Sequence, residues 1–122
     1  MSTLKVTNLS GLTGSSTDAM QGLAKAWVKA TNTATVEDSF NVASSTDVAS
    51  GNWKYTFTSS MNNNDFATAC AAEANTYAIY GCNMFQPATS SVNIKDGYTQ
   101  SGSGGYAVAD LAHNGVVLGD LA

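Results

Sequence analysis

A strict alternation of apolar and polar side chains between Trp53 and Thr58 constrains the fold more than any other feature. Trp53, Tyr55 and Phe57 alternate with one lysine and two threonines. Because successive side chains of a β-strand point to opposite faces, this spacing puts three aromatic rings on one face. It predicts a half-buried strand, with Trp53 and Phe57 filling the core.

Alternation of this kind recurs along the chain, between segments rich in Gly, Ser, Asn and Asp. The further predicted strands are residues 36–42, 77–84, 91–98, 106–111 and 115–118. The predicted turns are residues 44–52, 59–65, 96–97 and 100–105. Short strands spaced by roughly 8–12 residues are typical of an all-β sandwich or barrel. We therefore predict an antiparallel β-sandwich, jelly-roll-like or Greek-key, over residues 23–122, preceded by an extended segment, residues 1–22.

Two segments fit more than one kind of secondary structure. Residues 18–30 fit either a helix, with Met20, Leu23 and Trp27 along one side, or a strand over 24–29. The alanine-rich residues 66–72 also fit a helix or a strand of small side chains. Periodicity alone leaves both alternatives open.

The single histidine, His113, precedes Asn114 and Gly115. Asn-Gly between two apolar runs favours a type I′ hairpin turn, so we expect His113 at an exposed turn. No nucleophile, paired carboxylates or phosphate-binding loop accompanies it in the sequence. The sequence therefore predicts no catalytic residue, no metal ligand and no cofactor. A small hydrolase that uses His113 with a nearby acid is the enzymatic alternative.

The only two cysteines are Cys70 and Cys82. Thiols of a protein made in a cytoplasm are usually reduced, although a disulfide between these two stays open. A zinc site would need four ligands, and one imidazole with two thiols falls short of that number.

Composition argues against several partners. Five lysines, no arginine and nine acids give a net charge of −4, which disfavours binding to nucleic acid. No apolar run approaches the roughly 20 residues of a membrane span, and no signal peptide is visible. Tyr98 and Tyr106, on either side of the glycine-rich residues 100–105, are candidate receptor contacts because binding residues favour loops.

Several blocks of the sequence resemble a known family. They are Ser2–Leu9, Ala24–Val28, Asp38–Val42, Gly51–Thr58 and Gly115–Asp120. In this order they resemble the small β-rich modules of tailed-bacteriophage fibre and other virion surface proteins. The family's Asn-Gly-Thr-Gly-like stretch is replaced here by Asn32–Thr35, which contains no glycine.

This resemblance implies both architecture and function. It implies a strand over Ala24–Val28, a homotrimer associating through β faces, and an N-terminal attachment segment in which Leu4, Val6 and Leu9 dock on the particle. The expected function is that of a non-enzymatic structural protein, a small oligomeric fibre or decoration protein on the virion surface. It would be assembled in the host cytoplasm and contact capsid or tail proteins. The alternative is a receptor- or glycan-binding adhesion module of a tail fibre.

Overall fold

The computed structural model describes residues 23–73, 79–99 and 105–119. Within these residues the chain is all-β and contains no helix. The strands are β1 (Ala24–Ala30), β2 (Val36–Phe40), β3 (Val42–Ala49), β4 (Asn52–Phe57), β5 (Ala67–Ala72), β6 (Ile79–Ala88), β7 (Ser91–Thr99), β8 (Tyr106–Val108) and β9 (His113–Leu118). The predicted attachment segment, residues 1–22 with Leu4, Val6 and Leu9, lies outside the described residues.

The strands form two antiparallel sheets that pack face to face, as the sandwich prediction required. Sheet A has the strand order β2-β1-β9-β5. Sheet B has the order β3-β4-β7-β6, and the short strand β8 pairs with β7. Neighbouring strands are antiparallel throughout the described ladders.

Asn41 is the corner at which the chain leaves sheet A for sheet B. Its φ of 58° is a left-handed conformation that asparagine adopts more readily than most residues. Its side-chain amide donates to the carbonyls of Lys25 (2.9 Å) and Ser59 (3.0 Å), and its Oδ1 accepts from the Ser59 amide at 2.7 Å. The predicted single strand 36–42 is therefore two strands, one in each sheet.

The core lies between the inner faces of the two sheets. Trp53, Tyr55 and Phe57 are all buried there, which confirms the face predicted from their alternation. They pack with inner residues of β1, β7 and β9 and with two loop residues: Ala26, Val28, Ala30, Ala34, Met61, Val92, Ile94 and Val117. Where the structure describes them, both ambiguous segments are strands: β1 covers Ala24–Ala30 and β5 covers Ala67–Ala72, whereas residues 18–22 lie outside the described residues.

Two predicted turns were wrong because both segments pair as strands. Residues 44–52 were expected to form a loop, but β3 runs through them to Ala49 and pairs with β4. It is an edge strand whose side chains are mostly exposed. It therefore lacks the apolar face from which a strand is usually predicted. Asp96 and Gly97 lie within β7, where a Cβ on Gly97 would overlap the Tyr106 ring.

The predicted Asn-Gly hairpin was also wrong. His113 opens β9, and Asn114 and Gly115 continue it between β1 and β5. Gly115 is needed for packing, not for a turn: a Cβ there would lie 2.8 Å from Cδ1 of Ile94 and 3.3 Å from Cε of Met84. Pairing on both sides of β9 outweighs the local preference of the dipeptide for a turn.

Candidate functional site

A buried hydrogen bond between an aspartate and a histidine joins the two sheets at the centre of the sandwich. Asp96 of β7 and His113 of β9 are both 0% exposed, and Nδ1 of His113 lies 2.6 Å from Oδ2 of Asp96. His113 was expected at an exposed turn, so its position is a correction to the sequence analysis. It faces inward because it shares the parity of Gly115 and Val117 along β9.

The hydrogen bonds of the imidazole define its tautomer. Nδ1 faces two acceptors, the Asp96 carboxyl group and the Leu111 carbonyl at 3.0 Å, so it carries a proton. Nε2 lies 2.5 Å from the Tyr55 hydroxyl. Burial, and next the charge of Asp96, raise the pKa of Tyr55 well above its ordinary value. The hydroxyl therefore keeps its proton and forms a hydrogen bond with Nε2 of the ring.

Trp53 completes the surroundings of the pair. Its Nε1–H donates to Oδ2 of Asp96 over 3.2 Å, and its ring centroid lies 6.0 Å from that of His113. One oxygen of Asp96 thus accepts from both an indole and an imidazole. The other, Oδ1, is buried without a hydrogen-bond partner among the described residues.

Two thiols extend this polar centre toward the edge of the sandwich. Cys82, directly opposite Asp96 in the β6–β7 ladder, shares its inward face, and Cys70, directly opposite Gly115, faces inward from the neighbouring strand β5. Burial is the main cause that raises the pKa of each thiol above its ordinary value. Tyr55, His113, Asp96, Cys82 and Cys70 therefore form a row of polar side chains across the interior, which we call the polar row.

The polar row suits cohesion between the sheets better than catalysis. A catalytic imidazole must contact its substrate, whereas His113 is enclosed by both sheets. Among the described residues, no three His, Cys, Asp or Glu side chains are arranged to hold a metal ion. Sequence reasoning missed Asp96 because its neighbour is glycine, although its parity with Ile94 along β7 was the available signal.

The outer face of sheet A carries a second feature, an apolar row across all four strands. Phe40, Trp27, Val116 and Ala69 are directly opposite one another in consecutive ladders, so their side chains share a face. Phe40 is 50% exposed. We call these four residues the outer row. Trp27, Val116 and Ala69 line a shallow groove of about 490 Å³.

The charged side chains at the margin of this groove are paired with one another. Nζ of Lys29 lies 3.2 Å from Oε2 of Glu37 and 3.8 Å from Oε1 of Glu73. The hydrogen bond to Glu37 is the main cause that raises the pKa of Lys29, so the ammonium stays charged and paired. The outer face of sheet A is thus apolar at its centre, and this margin carries one paired lysine and a net charge of −1.

The two candidate receptor tyrosines point to opposite faces of sheet B. Tyr98 lies opposite Tyr80, with ring centroids 6.3 Å apart, and has the inward parity of Asp96. Tyr106 is 54% exposed and its ring lies over Gly97. They therefore do not form one platform. Residues 100–104, between them, lie outside the described residues.

Comparisons with known proteins give no relative: no family model, curated protein or solved structure matches the chain. The described residues contain no helix that could cross a membrane. Fold and site together define a β-sandwich with a buried polar row and an apolar outer face.

Proposed function

We propose that the protein is a non-enzymatic structural component of the surface of a tailed-phage virion, a small fibre or decoration protein that assembles as a homotrimer. The resemblance of its sequence blocks to such modules supports the virion role. The observation that carries the proposal is the outer row. It gives a β-sandwich an apolar face suited to association.

The occupant of this face is a second copy of the chain. Small and aromatic side chains allow two outer faces to approach closely, and desolvation of aromatic rings is a usual source of interface energy. Because Lys29 is already paired with Glu37 and Glu73, the margin keeps a net charge of only −1, and the apolar centre is the main surface for association. An identical apolar face is a matching surface that the chain itself supplies.

Light scattering of the purified chain at micromolar concentration tests this assembly. The wild type is expected to be a trimer, and Val116→Lys on the outer row is expected to be a folded monomer. The control is Thr46→Lys on the exposed face of β3, which keeps the trimer. A monomeric wild type, or a Val116→Lys variant that stays trimeric with native circular dichroism, would overturn the proposed interface.

Attachment to the particle is tested separately. Deleting residues 1–10, which include Leu4, Val6 and Leu9, is expected to abolish binding to purified particles while leaving a folded trimer. If the truncated trimer still decorates particles, the attachment segment lies elsewhere. Density on the intact particle would then distinguish capsid from tail.

A second candidate function, an adhesion module for a host surface glycan, is favoured by the exposed ring of Tyr106. Aromatic rings that are held flat and open are suitable platforms for sugars. Binding to a glycan array or to whole cells that disappears on Tyr106→Ala would support it. Tyr98→Ala is the comparison, since that ring has the inward parity of the core. Equal binding by wild type and Tyr106→Ala would reject it.

A further inference from the structure

Cys70 and Cys82 are the only two cysteines in the chain, and the fold places them on neighbouring strands of the two sheets. Cys70 lies on β5, the edge strand of sheet A, and Cys82 on β6, the edge strand of sheet B. Directly opposite residues share a face, so Cys70 points inward with Gly115 and Cys82 points inward with Asp96. The two thiols therefore face each other from one sheet to the other.

The surroundings of the two thiols differ. Cys82 packs against the hydrophobic core, whereas Cys70 lies among the small side chains of β5. Both side chains are partly exposed and both thiols are free. The more peripheral Cys70 is therefore suited to react first with a molecule from solvent, and Cys82 to react second.

We infer that Cys70 and Cys82 are a modification site that closes into an intramolecular disulfide when the protein meets an oxidised low-molecular-weight disulfide. The thiolate of Cys70 attacks one sulfur of that disulfide, forms a mixed disulfide and releases the first small thiol. The Cys82 thiolate then attacks Cys70 and releases the second. Two protein thiols lose two electrons and two protons, and the small disulfide gains them as two thiols.

The product links sheet A to sheet B by a covalent bond. Closing the chain between residues 70 and 82 removes conformational freedom from the unfolded state, which stabilises the folded one. Against the reduced chain, we expect the melting temperature of the oxidised chain to rise by roughly 10 °C. This inference stands on the inward placement of the two thiols on neighbouring strands and does not depend on the proposed virion function.

The experiment incubates the full chain with oxidised glutathione and follows it by intact mass and thiol titration. The expected product is a single chain lighter by two hydrogen atoms, with both thiols lost together and a higher melting temperature. Both thiols remaining titratable, or a product linked between chains, would overturn the inference.

Two variants keep the test decisive. Cys82→Ser lacks the second thiol, so it is expected to accumulate the glutathione adduct on Cys70 and to show no thermal gain. Cys70→Ser is expected to react more slowly, because its remaining thiol packs against the core. A wild type that also stops at the glutathione adduct would show that Cys82 does not reach Cys70, and would reject the site.

Discussion

His113 donates through Nδ1 to the Asp96 carboxyl group over 2.6 Å, and this bond connects the inner faces of the two sheets. Neither side chain reaches solvent. A buried pair of this kind adds little net stability compared with a well-packed apolar pair, but losing one partner is costly because the other stays buried alone. The pair therefore fixes how the sheets face each other.

Removing the acid is predicted to destabilise the fold strongly. Asp96→Ala leaves the proton on Nδ1 of His113 and the indole N–H of Trp53 without their shared acceptor. We expect a loss of about 3–5 kcal/mol in the free energy of unfolding, measured by urea denaturation. The control is Asp47→Ala, an exposed side chain of the edge strand β3, expected within about 0.5 kcal/mol of wild type. A small loss in Asp96→Ala would contradict a cohesive role for the pair.

Removing one hydroxyl is predicted to have an intermediate effect. Tyr55→Phe keeps the ring in the core but leaves Nε2 of His113 without its 2.5 Å partner. An unsatisfied buried nitrogen costs about 1–3 kcal/mol, visible as a lower urea midpoint with an unchanged slope. Tyr106→Phe, on an exposed ring, is the matched control and is expected to be close to neutral. Equal stability of the two variants would argue that His113 finds another donor.

The packing role of Gly115 gives a third prediction. Gly115→Ala places a methyl group 2.8 Å from Cδ1 of Ile94, so the facing side chains must shift. Overpacking of this size costs about 1–3 kcal/mol in the free energy of unfolding. Gly105→Ala is the control, because a Cβ there meets nothing within 4 Å. If Gly115→Ala were as stable as Gly105→Ala, the close approach of the sheets at this point would be disproved.

Gly115 also shows which parts of the fold a local sequence pattern can predict. The alternation of Trp53, Tyr55 and Phe57 identified an inner face correctly because all three inward residues are apolar. The Asn114-Gly115 dipeptide gave a wrong prediction because the turn preference of a dipeptide is local. It does not include the hydrogen bonds to the two strands that pair with β9. Only the partners, β1 and β5, decide that this segment is extended.

The burial of polar residues is also hard to predict from sequence patterns, for a related reason. Asp96 and His113 point inward from their strands. Because polar residue types predict exposed positions, the sequence pattern places both of them on the surface. The cost of burying each polar group is offset by its hydrogen bond to the other, which lies 17 positions away in sequence and in the opposite sheet. The strand β3 shows the converse case, since a polar edge strand has the composition of a loop.

Alkaline pH is predicted to unfold the protein through the polar row. Burial raises the pKa of Cys82 above its ordinary value of 9.0, and that of Tyr55 above 10.0, in the folded chain. Above those values the unfolded chain loses these protons while the folded chain keeps them. The unfolded state then binds fewer protons, so stability is complete below pH 9.0 and falls as pH rises.

Each retained proton contributes a slope of at most about 1.4 kcal/mol per pH unit, which urea denaturation of the reduced chain between neutral and alkaline pH can resolve. Tyr55→Phe removes one titrating group, so its stability should fall less steeply above pH 10.0 than that of wild type. Cys82→Ser should make the decline above pH 9.0 less steep, because Cys70 is then the only thiol with a raised pKa. A wild-type stability that stays constant across this range would mean that the fold holds neither group in its protonated form. The polar row would then not make the stability depend on pH.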